Sequence, residues 1–245
     1  MRKIELCKAP VELTPQTVQR LTDEFKTSGK VVWRKEYIKK ALLEMTFYKC
    51  IYSEVSLGEN STCEEVEHFY PKSIYPDKVV EWGNLMPTCK ICNAKKGDVD
   101  PNKVALINPY IDNPSDYIAF SGFICVAINR NAKGKNSILY YNLNNAHFTR
   151  PRKHQIEQND EVLSRLAEEL NEGLIAGNPT KRFLARLKSV LQSAQPSEPY
   201  SVCTGTALLK SDVYKTIKKE LTAKEMWSAE LNHLEENIDS SLGIR

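Results

Sequence analysis

Hydrophobic residues recur with helical spacing near the start of the chain. Residues 14–29 (TPQTVQRLTDEFKTSG) predict a helix, with Thr14 as its N-cap and Gly29 as its stop signal. Residues 34–46 (RKEYIKKALLEMT) predict a second helix, because their apolar positions fall on one face. The chain therefore begins with an amphipathic helical segment.

The pattern then breaks into short pieces that are rich in turn residues, such as SLGENST, YPKS and EWGN. Residues 64–70 predict a strand, with Val66 and Phe69 as its apolar positions. Asn93 opens a short predicted helix, which Gly97 ends. Short elements with so little apolar surface are typical of a small module stapled by metal.

Strand-like and then helical patterns fill the rest of the chain. Residues 122–129 (GFICVAIN) and 137–143 (SILYYNL) predict two strands of a hairpin, joined by the turn RNAKGKN. Amphipathic spacing predicts helices over three further ranges, which are 155–175, 179–194 and 211–237. The segment SAQPSEP predicts a linker between the last two.

Composition places the chain among soluble globular proteins. Its 245 residues are 41% hydrophobic and 27% charged, which is enough to build a core. It has no run of eighteen apolar residues and no apolar stretch of the signal-peptide kind near its first residue, so we expect a cytoplasmic protein.

Charge is balanced overall but clustered locally. A formal net charge of +3 is too small to identify a nucleic-acid-binding protein by itself. Two basic clusters stand out, one of Lys90, Lys95 and Lys96, the other of Arg150, Arg152, Lys153 and His154. Each is compatible with a solvated surface or with a surface that contacts phosphate.

Seven cysteines argue against a disulfide framework in a cytoplasmic chain, because the number is odd. Cys7, Cys125 and Cys203 stand alone, and we expect them to be buried free thiols. The other four surround the turn-rich region, which suggests a different role.

The spacing of these four cysteines suggests structural zinc. Cys89 and Cys92 form a CxxC pair, and Cys50 begins a matching knuckle, CIYSE, in which Ser53 stands at the expected position of the partner. Serine is a poor ligand for zinc, which prefers soft thiolates. Two interpretations stay open: Cys63 supplies the fourth ligand, or the knuckle has lost its zinc.

Residues of a second kind suggest hydrolysis of phosphodiesters. Glu67 and His68 on one strand can offer a carboxylate to a cation and an imidazole to water. Asn93 offers a second oxygen ligand, Lys96 a positive group for the phosphate, and Asn84 a group that holds the imidazole. A lone histidine on a strand is usually structural, so the argument for His68 depends on the whole set.

The order EVEHFYPKS…WGNLMPTCKICNAKKGD resembles the HNH endonuclease family and its ββα-metal fold. The resemblance matches His68, Asn84 and Asn93 to the three motif positions, with asparagine replacing the last histidine. It implies that His68 is the general base, that Glu67 and Asn93 bind Mg²⁺ or Mn²⁺, and that Asn84 orients His68. The knuckles resemble those that bind zinc in this family, apart from Ser53.

The resemblance extends to the HNH proteins of Septu-type anti-phage systems, the PtuB-like group, through VVW, INPYIDNP, YYNLN and the helices that follow. It implies an effector that acts with an ABC/AAA-type ATPase (PtuA-like). In versions associated with retrons, it also implies a reverse transcriptase and its RNA–DNA product (msDNA). The amphipathic helices between residues 155 and 237 are candidate docking surfaces.

The predicted fold is therefore α+β, a mainly helical chain around a small HNH module with a zinc-ribbon-like knuckle. We expect an N-terminal helical segment at 1–47, the nuclease module at 48–105, and a hairpin with helices for partner docking at 106–245. Two other hypotheses stay open, a zinc ribbon that binds nucleic acid or protein without catalysis, and a degenerate nuclease kept as a scaffold. One cation and one base hydrolyse DNA phosphodiesters readily, and RNA, including tRNA, is also a candidate substrate.

Overall fold

In the computed structural model of the protein, helix α1 spans Pro15–Ser28 and carries both predicted caps. The hydroxyl of Thr14 accepts a hydrogen bond from the amide of Thr17 at 3.2 Å, and Gly29 has φ of 68°, the left-handed conformation that ends many helices. Helix α2 spans Glu36–Met45. Both helix predictions are confirmed. Caps and apolar spacing agree at α1, whereas α2 has no side-chain cap and rests on its apolar spacing.

The structure describes residues 1–58, 64–171 and 180–242, and the chain divides into two units. The first unit is Met1–Ala119 with Cys125–Asn145, and the second is Phe120–Ile124 with Ala146–Arg245. Within the described residues, no helix is long and apolar enough to cross a membrane.

The first unit builds a small sheet against helices. It contains α1 and α2, then β1 (Glu64–His68), β2 (Leu85–Cys89), α3 (Lys90–Lys96) and α4 (Ala132–Tyr140). Strands β1 and β2 are antiparallel, and their register runs from Glu64 opposite Cys89 to His68 opposite Leu85. The sheet packs on a core that includes Leu21, Leu42, Val66, Val79 and Leu85.

A second two-stranded sheet is formed by β3 (Ile118–Ser121) and β4 (Ile124–Ala127). The predicted second strand at 137–143 is wrong, since most of that range lies in α4. Asn131 starts this helix by accepting a hydrogen bond from the amide of Gly134 at 3.2 Å. Local capping therefore overrides the preference of SILYY for strands. Helix-rich architecture with two small sheets confirms the expected α+β class.

Helix α4 approaches the backbone closely at Gly134. A Cβ atom at this position would lie 2.3 Å from the carbonyl oxygen of Tyr117. We expect Gly134→Ala to destabilise the first unit by about 2 kcal/mol, because the overlap with fixed backbone outweighs the roughly 1 kcal/mol gain in helix propensity. Urea denaturation measures the change.

A matched substitution, Gly83→Ala, is the control for this prediction. Its Cβ would lie 3.5 Å from Cδ2 of Leu6, an ordinary distance to a flexible side chain. A Gly134→Ala protein as stable as the Gly83→Ala protein would contradict the close approach.

The second unit is a cluster of helices, α5 (Ala146–Asn171), α6 (Lys181–Gln192), α7 (Ser201–Lys210), α8 (Asp212–Ala223) and α9 (Ala229–Leu242). They share a core that includes Leu166, Phe183, Leu187, Ile217 and Ile238.

The predicted ranges in this unit were correct in type but not in extent. Helix α5 begins nine residues before the predicted 155, and residues 172–175 lie outside the described residues. The predicted helix at 211–237 is wrong in its continuity, since it divides into α8 and α9. Helix α7 was not predicted, because its apolar positions lack a clear stripe.

Candidate active site and metal centre

The residues of the predicted catalytic site lie on β1, at the turn just before β2, and on the helix that follows β2 directly. Successive side chains of a strand point to opposite faces. Glu65 and Glu67 therefore share the face that meets α3, while Val66 and His68 share the face that meets the hydrophobic core. The two catalytic candidates Glu67 and His68 are neighbours in sequence but diverge from the strand.

His68 is buried and held by two contacts. Its Nε2 atom lies 2.9 Å from the carbonyl oxygen of Val79, and its ring meets Trp33 edge to face with centroids 4.9 Å apart. A carbonyl oxygen can only accept, so Nε2 carries the proton and the neutral ring keeps a lone pair on Nδ1.

Burial lowers the pKa of His68 to about 4, although the bond to Val79 acts in the opposite direction. The nearby positive charges of Lys72 and Lys96 lower it further. The imidazole is therefore neutral near pH 7, which is the form that a general base requires.

Glu67 forms a buried pair with Lys96 across the gap between β1 and α3. The Nζ atom of Lys96 lies 2.5 Å from Oε1 of Glu67 and donates a hydrogen bond to the carbonyl oxygen of His68 at 2.9 Å. The buried Oε1 of Glu67 therefore faces the Lys96 ammonium directly. Burial raises the pKa of Glu67 to about 7, against the charge of Lys96.

Lys96 is thus buried rather than exposed as the sequence suggested. Only 1% of its surface is accessible, and its ammonium group faces Glu67 and the end of β1. In the second unit Arg152 is equally buried and lies 5.4 Å from the centre of the Phe120 ring. Each of the two predicted basic clusters therefore contains one residue that is buried, Lys96 in the first and Arg152 in the second.

Asn84 fixes the loop between the strands rather than the imidazole itself. Its Oδ1 accepts a hydrogen bond from the amide of Tyr70 at 2.7 Å, and its Nδ2 donates to the carbonyls of Tyr70 at 3.1 Å and Lys78 at 2.9 Å. Lys78 precedes Val79, the residue whose carbonyl meets His68. The path from Asn84 to His68 therefore runs through the backbone.

Asn93 lies in α3 and faces β1. Its Nδ2 donates a hydrogen bond to Oε2 of Glu65 at 2.5 Å. Glu65, Glu67 and Asn93 together offer carboxylate and amide oxygens, the donors that Mg²⁺ and Mn²⁺ prefer. The residue types facing one another here fit a hard divalent cation.

Three of the four predicted zinc ligands meet in the interior of the first unit. The sulfur atoms of Cys50, Cys89 and Cys92 all lie within 4.8 Å of one another, and all three residues are buried. This cluster can hold a metal ion, and three thiolates fit zinc. Cys63 lies outside the described residues.

Ser53, which stands where the zinc knuckle would have a cysteine, lies next to this cluster. Its Oγ lies 3.8 Å from Sγ of Cys89. Burial raises the pKa of Cys50, but hydrogen bonds from Cys89, Cys92 and Ser53 outweigh it and hold that pKa well below its ordinary value. The cluster therefore favours a thiolate at Cys50, the form that binds metal.

Comparisons with known proteins decide the family. No protein-family model matches the chain. The chain is 36% identical over 228 residues to the Septu protein PtuB of Bacillus thuringiensis, a match that covers 91% of this chain and 88% of the relative.

The chain belongs to the Septu PtuB family. A second Septu protein PtuB, from Bacillus mycoides (strain KBAB4), is 28% identical over 151 residues, which cover 49% of this chain and 51% of that protein.

Three residues around the site of this PtuB family member were missed by the sequence argument. Val79 and Trp33 contact His68 from parts of the chain distant in sequence, and no local pattern marks them. Glu65 had a signal, since it stands two residues before Glu67 and must share its face. Cys7 was predicted to be buried and is exposed, whereas Cys125 and Cys203 are buried as expected.

The hydrogen bonds of Asn84 lead to a prediction about the stability of the first unit. Asn84→Ala removes three partly buried hydrogen bonds to the backbone, each worth about 1 kcal/mol, so we expect a loss of about 3 kcal/mol. Thermal denaturation measures it, and exposed Asn102→Ala in the same unit is the control. Equal melting temperatures for the two variants would contradict a structural role for Asn84.

Proposed function

We propose that this PtuB family member is a metal-dependent HNH endonuclease that hydrolyses phosphodiester bonds of DNA or RNA, with tRNA among the candidate substrates. The observation that carries the proposal is a buried, neutral His68 beside Glu67, with Asn93 on the carboxylate face of the same strand. Structural burial alone does not explain why β1 carries an imidazole on one face and two carboxylates on the other, with the Asn93 amide on the helix opposite the carboxylates.

The chemistry assigned to the chain's own residues starts at Nδ1 of His68. This nitrogen takes a proton from the attacking water while the Val79 carbonyl stabilises the imidazolium through the proton on Nε2. A bond forms from the water oxygen to phosphorus, and the bond from phosphorus to the leaving ester oxygen breaks. Trp33 holds the ring in place.

Glu67 and Asn93 are the residues that would hold Mg²⁺ or Mn²⁺. When bound, the cation would supply positive charge to the phosphate and its leaving oxygen. Lys96 keeps the Glu67 carboxylate in position and ties it to the end of β1 through the His68 carbonyl. We assign zinc to the cluster of Cys50, Cys89 and Cys92. Cys63 is the candidate for the fourth zinc ligand.

Membership of the Septu PtuB family supports a role in anti-phage defence together with a PtuA-like ATPase. We propose that the helices of the second unit dock this partner, and that in retron-associated systems the complex includes a reverse transcriptase and msDNA. The nuclease module is assigned to residues 48–105, between the helical segment 1–47 and the docking region 106–245.

The test uses the complex with its ATPase, purified without divalent cation and zinc-loaded. Plasmid DNA, single-stranded DNA, total RNA and tRNA are each incubated with Mg²⁺, with Mn²⁺ or with neither. We expect cleavage of at least one substrate class only when a cation is present, which identifies the substrate. Absence of cleavage under all conditions, with the substrate still bound, would overturn the proposal.

A second candidate function, binding of nucleic acid or protein by a zinc ribbon, is supported by the cluster of Cys50, Cys89 and Cys92. A zinc ribbon that binds nucleic acid or protein needs this cluster and has no use for His68. It predicts binding that is lost in Cys89→Ser and unchanged in His68→Ala, without any cleavage.

A further inference from the structure

The contact between Asn93 and Glu65 determines which way the Asn93 amide faces. Nδ2 of Asn93 lies 2.5 Å from a carboxylate oxygen of Glu65. A carboxylate oxygen accepts hydrogen bonds, so the NH₂ group must be on the Glu65 side. The carbonyl oxygen Oδ1 is therefore turned away from Glu65, and an oxygen is the atom that a hard cation needs.

Two parallel contacts join the carboxylates of β1 to polar side chains of α3. Glu65 and Glu67 are two residues apart on the strand, and Asn93 and Lys96 are about one turn apart on the helix. Glu65 contacts Asn93, and Glu67 contacts Lys96. Each carboxylate of this face therefore holds one polar side chain of α3 in a defined position.

We propose that Glu65 is a positioning residue that holds Asn93 with its Oδ1 directed at the cation. This inference rests on the proposed function, because it assumes that Asn93 binds the cation. Glu65 acts through Asn93 and not on the substrate. Without the Glu65 carboxylate, the amide loses the acceptor that distinguishes its two ends, and the nitrogen competes with the oxygen for the cation's place.

The expected loss of cation affinity can be taken from other proteins, in which residues hydrogen-bonded to a metal ligand hold that ligand in position. Loss of such an outer partner lowers metal affinity by about 10–100-fold. We expect Glu65→Ala to raise the dissociation constant for Mn²⁺ by that factor. Glu65→Gln keeps an oxygen that can accept from Asn93, so its effect should be smaller.

The neighbouring residue provides a matched control. Glu64 lies on the same strand but points to the opposite face, where it pairs with Lys39 at 2.6 Å. Glu64→Ala removes a similar carboxylate from the same strand. We expect its Mn²⁺ affinity to equal that of the wild type.

A pair of reciprocal substitutions separates positioning from a general effect on the fold. Asn93→Asp alone places two carboxylates against each other, which should raise the Mn²⁺ dissociation constant. In the double variant Glu65→Gln with Asn93→Asp, the new amide at position 65 can donate a hydrogen bond to the new carboxylate at position 93. We expect this variant to bind Mn²⁺ more tightly than Asn93→Asp alone.

Binding is measured as the loss of the electron paramagnetic resonance signal of free Mn²⁺, on the zinc-loaded protein with its ATPase. Thermal denaturation without Mn²⁺ reports the fold separately. The proposal is supported if Glu65→Ala binds Mn²⁺ more weakly than Glu64→Ala does, and if the double variant binds Mn²⁺ more tightly than Asn93→Asp.

Wild-type affinity in Glu65→Ala, or equal losses in the Glu64→Ala protein, would overturn it. So would a double variant that binds no better than Asn93→Asp. If Asn93→Ala still abolishes binding in any of these cases, the cation site stands and only the role of Glu65 fails. If the wild type itself binds no Mn²⁺, the proposed nuclease site fails together with this inference.

Discussion

Replacing His68 with alanine is expected to slow nucleic-acid cleavage by about 10²–10⁴-fold, the usual contribution of a general base. The neutral imidazole, with its proton on Nε2 held by Val79, leaves only Nδ1 to take a proton from water. Alanine leaves no group in this position, and Val79 loses its donor. The rate is measured with purified complex in single-turnover conditions, on the substrate that is cleaved by the wild type.

Stability must be separated from catalysis in this experiment, because His68 is buried against Trp33. His68→Asn keeps a polar side chain at the site and is the second variant. Exposed His154→Ala is the control histidine. Both His68 variants should melt as cooperative proteins and cleave slowly, whereas His154→Ala should behave as the wild type.

The same variants can be tested in cells that also express the proposed PtuA-like ATPase and are challenged with phage. Sequencing of total DNA and small RNA should find cleaved nucleic acid with the wild type and with His154→Ala only. Equal defence from wild type and His68→Ala would mean that His68 is not catalytic. The hypothesis of a zinc ribbon without catalysis would then explain the protein better.

The fold was predictable where local signals agree. Thr14 and Gly29 define the ends of α1, and Gly97 ends α3, because caps act within a few residues. The strand predicted at 137–143 failed because a cap at Asn131 and contacts from distant chain decide that segment. The hydroxyl of Ser137 accepts from the amide of Ile107 at 2.8 Å, which no local pattern foretells.

The placement of Glu67 and Asn93 on facing elements was predictable from the sequence, whereas their contacts were not. Motif spacing brought Glu67 and Asn93 to the two sides of one gap, as a strand followed by a helix requires. It could not place Lys96 in the interior, since burial of an ammonium depends on the Glu67 carboxylate that receives it. Nor could it assign the acceptor of His68, because the Val79 carbonyl comes from the intervening loop.

Replacing Cys89 with serine is expected to have the largest effect on stability. Cys89 ends β2 and is the N-cap position of α3, and Cys92 lies within that helix. Cys50 belongs to the separate knuckle closed by the bridge between Lys49 and Ser56. A metal held by the three thiolates would therefore join these parts, and binding of structural zinc contributes about 10–16 kcal/mol in zinc-finger peptides.

We expect Cys89→Ser to lose bound zinc and to destabilise the first unit by more than about 4 kcal/mol, a size typical of the loss of a structural metal. Zinc content is measured by elemental analysis and stability by denaturation. Cys203→Ser, a buried thiol of the second unit, is the control and should keep both. A Cys89→Ser protein with normal stability would show that the cluster is not a metal centre.

The fourth ligand can be found with two further substitutions. Ser53→Cys places a thiol where a hydroxyl lies 3.8 Å from the Cys89 sulfur, and Cys63→Ser removes the other candidate. If Cys63 completes the site, Cys63→Ser should release zinc to a chelator faster than the wild type, and Ser53→Cys should reverse that loss. If Cys63→Ser retains zinc as the wild type does, the three buried cysteines hold the metal without it, and Ser53→Cys should still slow release because thiolate binds zinc better than a hydroxyl.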